Sequence, residues 1–198
     1  MSNINGSKYA LTALFPIRES DKDGNHYDIL RKYLRELDQH PYGSPLSNVS
    51  SVHMARFAII DNLIYQGLPA KRDRLKSRYL LFMCDFDGES VDKLLNAMIS
   101  QIDQTVESIW QHCVAYPGTA RRDLLIAYFE QCQLKTSLFF ADRPDDEVAA
   151  ILRALMSKRQ FVQFVEENQR QPPADLKERF YAMWQQLAKQ PTPPPGSM

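Results

Sequence analysis

Two segments of this chain are apolar on both of the faces that a β-strand would present. Successive side chains of an extended segment point to opposite sides. Over Val52–Ile60, one side would carry His53, Ala55, Phe57 and Ile59, and the other Val52, Met54, Arg56, Ala58 and Ile60. Over Arg78–Asp85, Tyr79, Leu81 and Met83 oppose Leu80, Phe82 and Cys84. A sheet with one wet face alternates apolar and polar residues, and these segments do not. Both faces therefore need cover, since burial is worth roughly 25 cal/mol per Å² of apolar surface. Helices supply one cover. The other must come from additional C-terminal helices or from a second copy of the sheet, which would close a barrel-like sandwich.

The remaining pattern predicts where the helices lie. Tyr9–Ile17 reads as a strand, followed by a helix with Tyr27, Leu30, Leu34 and Leu37 at three- and four-residue steps, ending near His40-Pro41. After the third strand, Asp87-Gly88 turns the chain and Ser90 is placed to cap a helix. That helix buries Val91, Leu94, Leu95, Met98, Ile99, Ile102, Val106, Ile109 and Trp110. A short helix over 120–131 and a fourth strand over Leu134–Phe140 follow. A long helix then starts at Asp145-Asp146, whose charges suit its positive end, with Val148, Ile151, Leu152, Leu155, Val162 and Val165 as its stripe. A last helix covers 174–189, and the tail from Pro191 is too rich in proline for helix or sheet. The order is β-α-β-β-α-(α)-β-α-α. It predicts an α+β protein with a ferredoxin-like βαββαβ core and antiparallel sheet. The core would span 8–170, with a helical extension over 171–189 and a disordered tail over 190–198.

Charge and cysteine usage narrow the function classes. Of 198 residues, 24 are Lys or Arg and 24 are Asp or Glu, so the formal net charge is zero. A global electrostatic pull toward nucleic acid or anionic membrane is absent. No apolar run reaches the roughly 18 residues of a membrane span, and Met1–Lys8 lacks the pattern of a secretory signal. Cys84, Cys113 and Cys132 form no disulfide framework, and reduced thiols fit a cytoplasmic setting.

Five residues are candidates for chemistry. Arg56 lies inside the best strand, where a guanidinium must be paired or face a wet cavity. It either binds an anionic ligand group or pairs with Asp85. His53, on the opposite face of a regular strand, either acts as acid or base or hydrogen-bonds a loop. His112, beside Cys113, sits at a helix C-terminus, which suits a protonated imidazole. It is a candidate base, with a capping or packing role as the alternative, and the missing ligand spacing speaks against a metal. Tyr79 and Asp85 complete the polar handles as ligand-binding candidates. Asp85-Phe86-Asp87-Gly88 is a turn, because a calcium loop begun at Asp85 would need its twelfth ligand at Asn96. The basic run Lys71, Arg72, Arg74, Lys76 and Arg78 lacks the aromatic interleaving of an RNA-binding surface and reads as a solvated loop.

The order of elements resembles the dimeric α/β-barrel group of ferredoxin-like proteins. That group includes small monooxygenases, polyketide cyclases, dye-decolourising peroxidases and chlorite-dismutase-like haem proteins. The stretches His53–Phe57, Leu80-Leu81-Phe82 with Asp85–Gly88, and Ile109–Pro117 are similar to a pattern in bacterial proteins of this kind. The resemblance, over about residues 8–170, implies a homodimer and a small-molecule ligand. It supplies no catalytic motif. It also raises haem, with His53 or His112 as axial ligand and Arg56, Arg78 or Arg121 for the propionates. Two functions follow as expectations. The first is binding, and oxidative transformation, of a small hydrophobic or aromatic molecule in a cavity against the sheet. The second is a non-catalytic protein-interaction module that uses the sheet face and the C-terminal helices.

Overall fold

The computed structural model describes residues 3–22, 24–38, 43–63, 65, 67–69 and 75–196. It is an α+β structure with strands β1 (Ile4–Asn5), β2 (Lys8–Pro16), β3 (Val52–Ile60) and β4 (Tyr79–Asp87). Its helices are α1 (His26–Asp38), α2 (Val91–Trp110), α3 (Arg122–Cys132), α4 (Val148–Glu167) and α5 (Pro173–Lys189). The strands form one antiparallel sheet in the order β1-β2-β4-β3. The sequence places β3 at its observed bounds and the other main elements within a few residues.

Register sorts the side chains onto two faces. Phe57 pairs with Phe82, Ala55 with Cys84 and Ile59 with Leu80, while Ala13 pairs with Phe82 and Phe15 with Leu80. This is the face that α1, α2 and α3 cover. Its residues Leu11, Ala13, Phe15, Leu80, Phe82, Cys84 and Phe86 join Leu30, Leu94, Trp110 and Phe129 in one buried cluster. The buried positions of α2 are those of the expected stripe except Ile99, which is half-buried. Ser90 occupies the N-cap position but makes no side-chain capping bond.

The other face presents Ala10, Thr12 and Leu14 of β2, Leu81 and Met83 of β4, and Arg56 and Ala58 of β3. Its Lys8 end is closed by residues 144–148. There Ser7 N–H donates to the Pro144 carbonyl at 3.0 Å, and Val148 N–H donates to Asp87 Oδ2 at 2.8 Å. Elsewhere this face is covered in part: Met54, at 61%, and Arg56 on the edge strand are exposed, and Thr12, Leu14, Ala58, Leu81 and Met83 are half-buried. The C-terminal helices do not provide the expected cover. Helices α4 and α5 pack chiefly on each other, through Phe164 against Phe180 and through Arg153, whose guanidinium donates to the carbonyls of Leu187 and Gln190. Of the stripe expected to be buried on α4, Leu155, Val162 and Val165 are exposed, because a two-helix hairpin buries only one seam.

The fourth strand expected over Leu134–Phe140 does not form. The segment does run beside β2: Gln133 bridges Ala13, and Leu134 N–H donates to the Thr12 carbonyl at 2.7 Å. Further along that edge the partner is already taken. β1 pairs with Lys8 and Tyr9, and Ala10 N–H donates to the Asn3 carbonyl. Residues 134–140 are therefore held by side chains instead, Asn5 Nδ2 donating to the Phe139 carbonyl and Thr136 N–H to Asn3 Oδ1. Leu138 and Phe140, apolar in the sequence pattern, stay exposed. The short N-terminal strand, too brief to stand out by periodicity, occupies the edge that the later segment would have used. From Pro191 to Pro194 the chain carries no helix or strand. None of the described helices is long and apolar enough to cross a membrane.

Candidate functional site

Four of the five candidate residues fall into three places, and Tyr79 stands apart from all of them. The first is the start of β3. A β-bulge between Val52 and Met54 inserts one extra residue opposite β4. A bulge reverses the facing of the residues before it relative to those after it. His53 consequently lies on the Arg56 side of the sheet, not on the opposite side that a regular strand predicts. Its Nε2 lies 2.5 Å from Asp87 Oδ1 and 2.9 Å from Lys8 Nζ. Lys8, in turn, lies 3.5 Å from Asp87 and donates to the Asp146 carbonyl. The opposing charges and the closed end of the sheet make this a structural ion cluster.

Asp85 stands next to it, half-buried. Burial raises its carboxyl above the ordinary range, while the positive charges of His53 and Arg56 oppose that shift. Arg56 forms no ion pair with Asp85, and its side chain is exposed. The expected alternative of a closed Arg56–Asp85 pair is not realised. Tyr79 lies six residues along β4 from Asp85, about 20 Å away at strand rise, opposite Pro16 and Ile60. It cannot share a small ligand with Asp85.

His112 belongs to a second cluster, where the end of α2 meets the start of α1. Its Nδ1 lies 3.0 Å from Nδ1 of His26, whose Nε2 lies 3.1 Å from Asp21 Oδ2. The same junction is tied by Arg18 N–H donating to the His112 carbonyl. Both imidazoles are buried. One Nδ1 must carry the hydrogen and the other accept it, so the contact cannot survive with both rings protonated. Burial lowers the His112 pKa below its ordinary 6.5, and the charges of His26 and Arg18 lower it further.

The stability consequence has a definite sign. The folded imidazole binds its proton less tightly than the unfolded one, so its contribution is complete above about pH 6.5 and is lost as pH falls through the lowered folded value. Urea unfolding at pH 7.5, 6.5 and 5.5 should show free energy falling below pH 6.5. His112→Gln should flatten that fall relative to the parent, which separates His112 from the carboxylates. Parallel pH profiles for the two proteins would remove the assignment.

His112, the candidate base, is engaged by His26 and not by a nucleophile among the described residues. The Cys113 thiol is buried and pushed up to about 12 by desolvation, and His112 addresses His26. Among the described residues, no group of three or more His, Cys, Asp or Glu side chains is placed to hold a metal ion. Haem does not fit the residues present either. His53 is held through Nε2 between Lys8 and Asp87, and His112 is 7% exposed against His26. Iron ligation through either of these ring nitrogens would have to break the contacts just named. Lys71, Arg72 and Arg74 of the basic run lie outside the described residues. Arg78 stacks over the Tyr27 ring at 4.1 Å.

The third place was not singled out by sequence. A cleft of about 690 Å³ opens between α1 and the outer edge of β3. Ala55, Phe57 and Ile59 of β3, Leu34 and Leu37 of α1, and Ile109 of α2 give it an apolar interior. Arg31, Arg35 and Arg56 stand around it, against one carboxylate, Asp61. That carboxylate is engaged: Tyr27 Oη donates to Asp61 Oδ2 at 2.6 Å, and Arg31 donates to Tyr27 Oη at 2.5 Å. The Tyr27 bond holds the Asp61 carboxyl below its usual range and pushes the phenol up. Arg35 and Arg56 make no hydrogen bond or ion pair with the described residues. The signal that could have found this cleft is Arg31-x₃-Arg35 at helical spacing on the same helix as Leu34 and Leu37. No family model, no curated protein and no solved structure matches the chain.

Proposed function

We propose that this chain is a non-catalytic binding module whose cleft between α1 and β3 receives a ligand with an apolar body and an anionic group. The observation that carries the reading is the cleft itself, with an apolar interior and, at its margin, two guanidinia, Arg35 and Arg56, that are unpaired among the described residues. Its volume lies in the range of ligand pockets, about 300–1,000 Å³. The two histidines that would serve catalysis are engaged in structural clusters, which favours binding over oxidative chemistry. The ferredoxin-like reading of the core is part of the proposal. Its support is the run β2-α1-β3-β4-α2 with β4 between β2 and β3, and a segment beside β2 where the last strand of that motif would lie.

A fluorescent long-chain carboxylate, 11-dansylaminoundecanoate, tests the binding. It should bind saturably at one site. Arg35→Ala and Arg56→Ala should each weaken it about tenfold, the loss of one charge-assisted contact worth about 1.5 kcal/mol. Thermal stability should stay within about 0.5 kcal/mol of the parent, as for ordinary surface substitutions. Absence of saturable binding, or equal affinity in all three proteins, overturns the reading.

A homodimer is the second reading, favoured by the partly covered apolar sheet face with Met54 exposed and Leu14, Leu81 and Met83 only half-buried. Native mass spectrometry at micromolar concentration decides it. A monomer that persists there removes it.

A further inference from the structure

We infer that the occupant of this cleft is an extended, acidic polypeptide segment that adds to the sheet as a strand beside β3. The inference rests on the binding reading above and names the ligand's class. One wall of the cleft is not a row of side chains but the free margin of a β-sheet. Among the described residues, β3 is the terminal strand and pairs only with β4. Ala55–Ile59, five consecutive residues and about 16 Å of strand, line the cleft. Beyond the β4 ladder, no described residue hydrogen-bonds the main chain of Met54–Ile60. An edge strand turns every second N–H and C=O outward, and these groups are the template for another chain. Peptide recognition by strand addition draws its affinity from those main-chain bonds and its specificity from pockets for alternate side chains.

The two sides of the added strand would meet different surroundings. Side chains directed to the helix-covered face enter the space among Phe57, Leu34, Leu37 and Ile109, which is apolar. Side chains directed to the other face meet Arg56, which the register places on that face opposite Met83. Arg35 stands across the cleft on α1. Among the described residues, the unpaired guanidinia and the single, already bonded Asp61 give the cleft a positive balance. A segment that alternates apolar and acidic residues satisfies both walls in one register. A basic segment would leave Arg35 and Arg56 uncompensated. A small carboxylate would use the guanidinia but leave the main-chain groups of β3 to water.

The test uses the full chain and four synthetic peptides. Acetyl-Val-Glu-Val-Glu-Val-Glu-amide is the probe, its Lys-for-Glu counterpart the charge control, and two alternately N-methylated forms, one in each register, the ladder control. Binding is read by isothermal titration and by displacement of the dansyl carboxylate. The acidic peptide should bind and displace the probe. The Lys peptide should bind at least tenfold more weakly, and Arg56→Ala should cost about tenfold. One of the two N-methylated registers should lose binding, since it removes the donors that the β3 carbonyls accept. The inference is overturned if the Lys peptide binds equally well, or if both N-methylated forms bind like the parent. If the dansyl carboxylate binds in an arginine-dependent way and no peptide does, strand addition fails while the cleft keeps its ligand. If neither binds, both readings fail.

Discussion

Replacing Trp110 by alanine should cost this protein about 4 kcal/mol, within the 3–5 kcal/mol typical of emptying a buried tryptophan site. The indole is fully buried where the end of α2 crosses the sheet. It meets Phe82 at 5.2 Å and Phe129 at 5.1 Å between ring centroids, and Phe15 and Phe57 at 5.8 and 5.7 Å. Three of these contacts are edge-on, the geometry that aromatic quadrupoles favour. The four partners come from β2, β3, β4 and α3, so no single element can move in to fill the space. Trp110→Phe should cost much less. The Trp110 Nε1–H is buried without an acceptor among the described residues, and a phenyl ring removes that unsatisfied donor as well as some volume. Urea denaturation followed by far-UV circular dichroism gives both values. An alanine variant within 1 kcal/mol of the parent, or a phenylalanine variant as unstable as alanine, would contradict this account of the core.

That core was largely legible in the sequence. Period-two and period-3.6 patterns report burial, and burial is what the sheet and α2 maximise. The bounds of Val52–Ile60 and most of the α2 stripe are therefore legible, the exceptions being the facing of Val52 and His53 across the bulge and the half-buried Ile99. The failures share a cause. Leu134–Phe140 has strand composition, but a strand needs a free partner edge, and β1 holds much of it through residues far away in sequence. The α4 stripe has helical period, but Leu155, Val162 and Val165 stay exposed because periodicity does not say whether a partner surface is present. The candidate site was less legible. Composition marked His53 and His112 as unusual, yet their settings depend on Lys8, Asp87, His26 and Asp21, each brought in by tertiary contact. The bulge that turns His53 over leaves no signature in residue type. Arg56 alone kept an open role, because its exposure follows from an edge position that the strand order, and not the strand pattern, decides.

Asp87 shows how far such tertiary placement reaches. The sequence marks it as half of a turn, Asp87-Gly88, and the structure gives it three partners. Oδ1 accepts from His53 Nε2 at 2.5 Å and lies 3.5 Å from Lys8 Nζ, while Oδ2 accepts the Val148 N–H at 2.8 Å. The last bond places a carboxylate at the first turn of α4, where a negative charge also suits the helix dipole. Asp87→Ala should cost about 3 kcal/mol. That is the low end of the 3–5 kcal/mol seen when a buried ion pair loses one partner, because the side chain keeps 15% exposure. Most of that loss comes from the Lys8 ammonium, whose side chain is 9% exposed and has no other carboxylate within ion-pair distance among the described residues. Two comparisons isolate the cause. Asp87→Asn keeps an acceptor for Val148 but removes the charge, and should fall between the parent and alanine. Lys8→Met combined with Asp87→Ala should recover at least 1 kcal/mol relative to Asp87→Ala alone, since it removes the orphaned charge. Hydrogen exchange adds a spatial reading. Asp87→Ala should speed exchange at the start of α4 more than in the middle of α2, because local opening begins where the tie to the sheet is lost. Strictly additive single and double variants, with uniform exchange along the chain, would show that Asp87 neither pairs with Lys8 nor anchors α4 to the sheet.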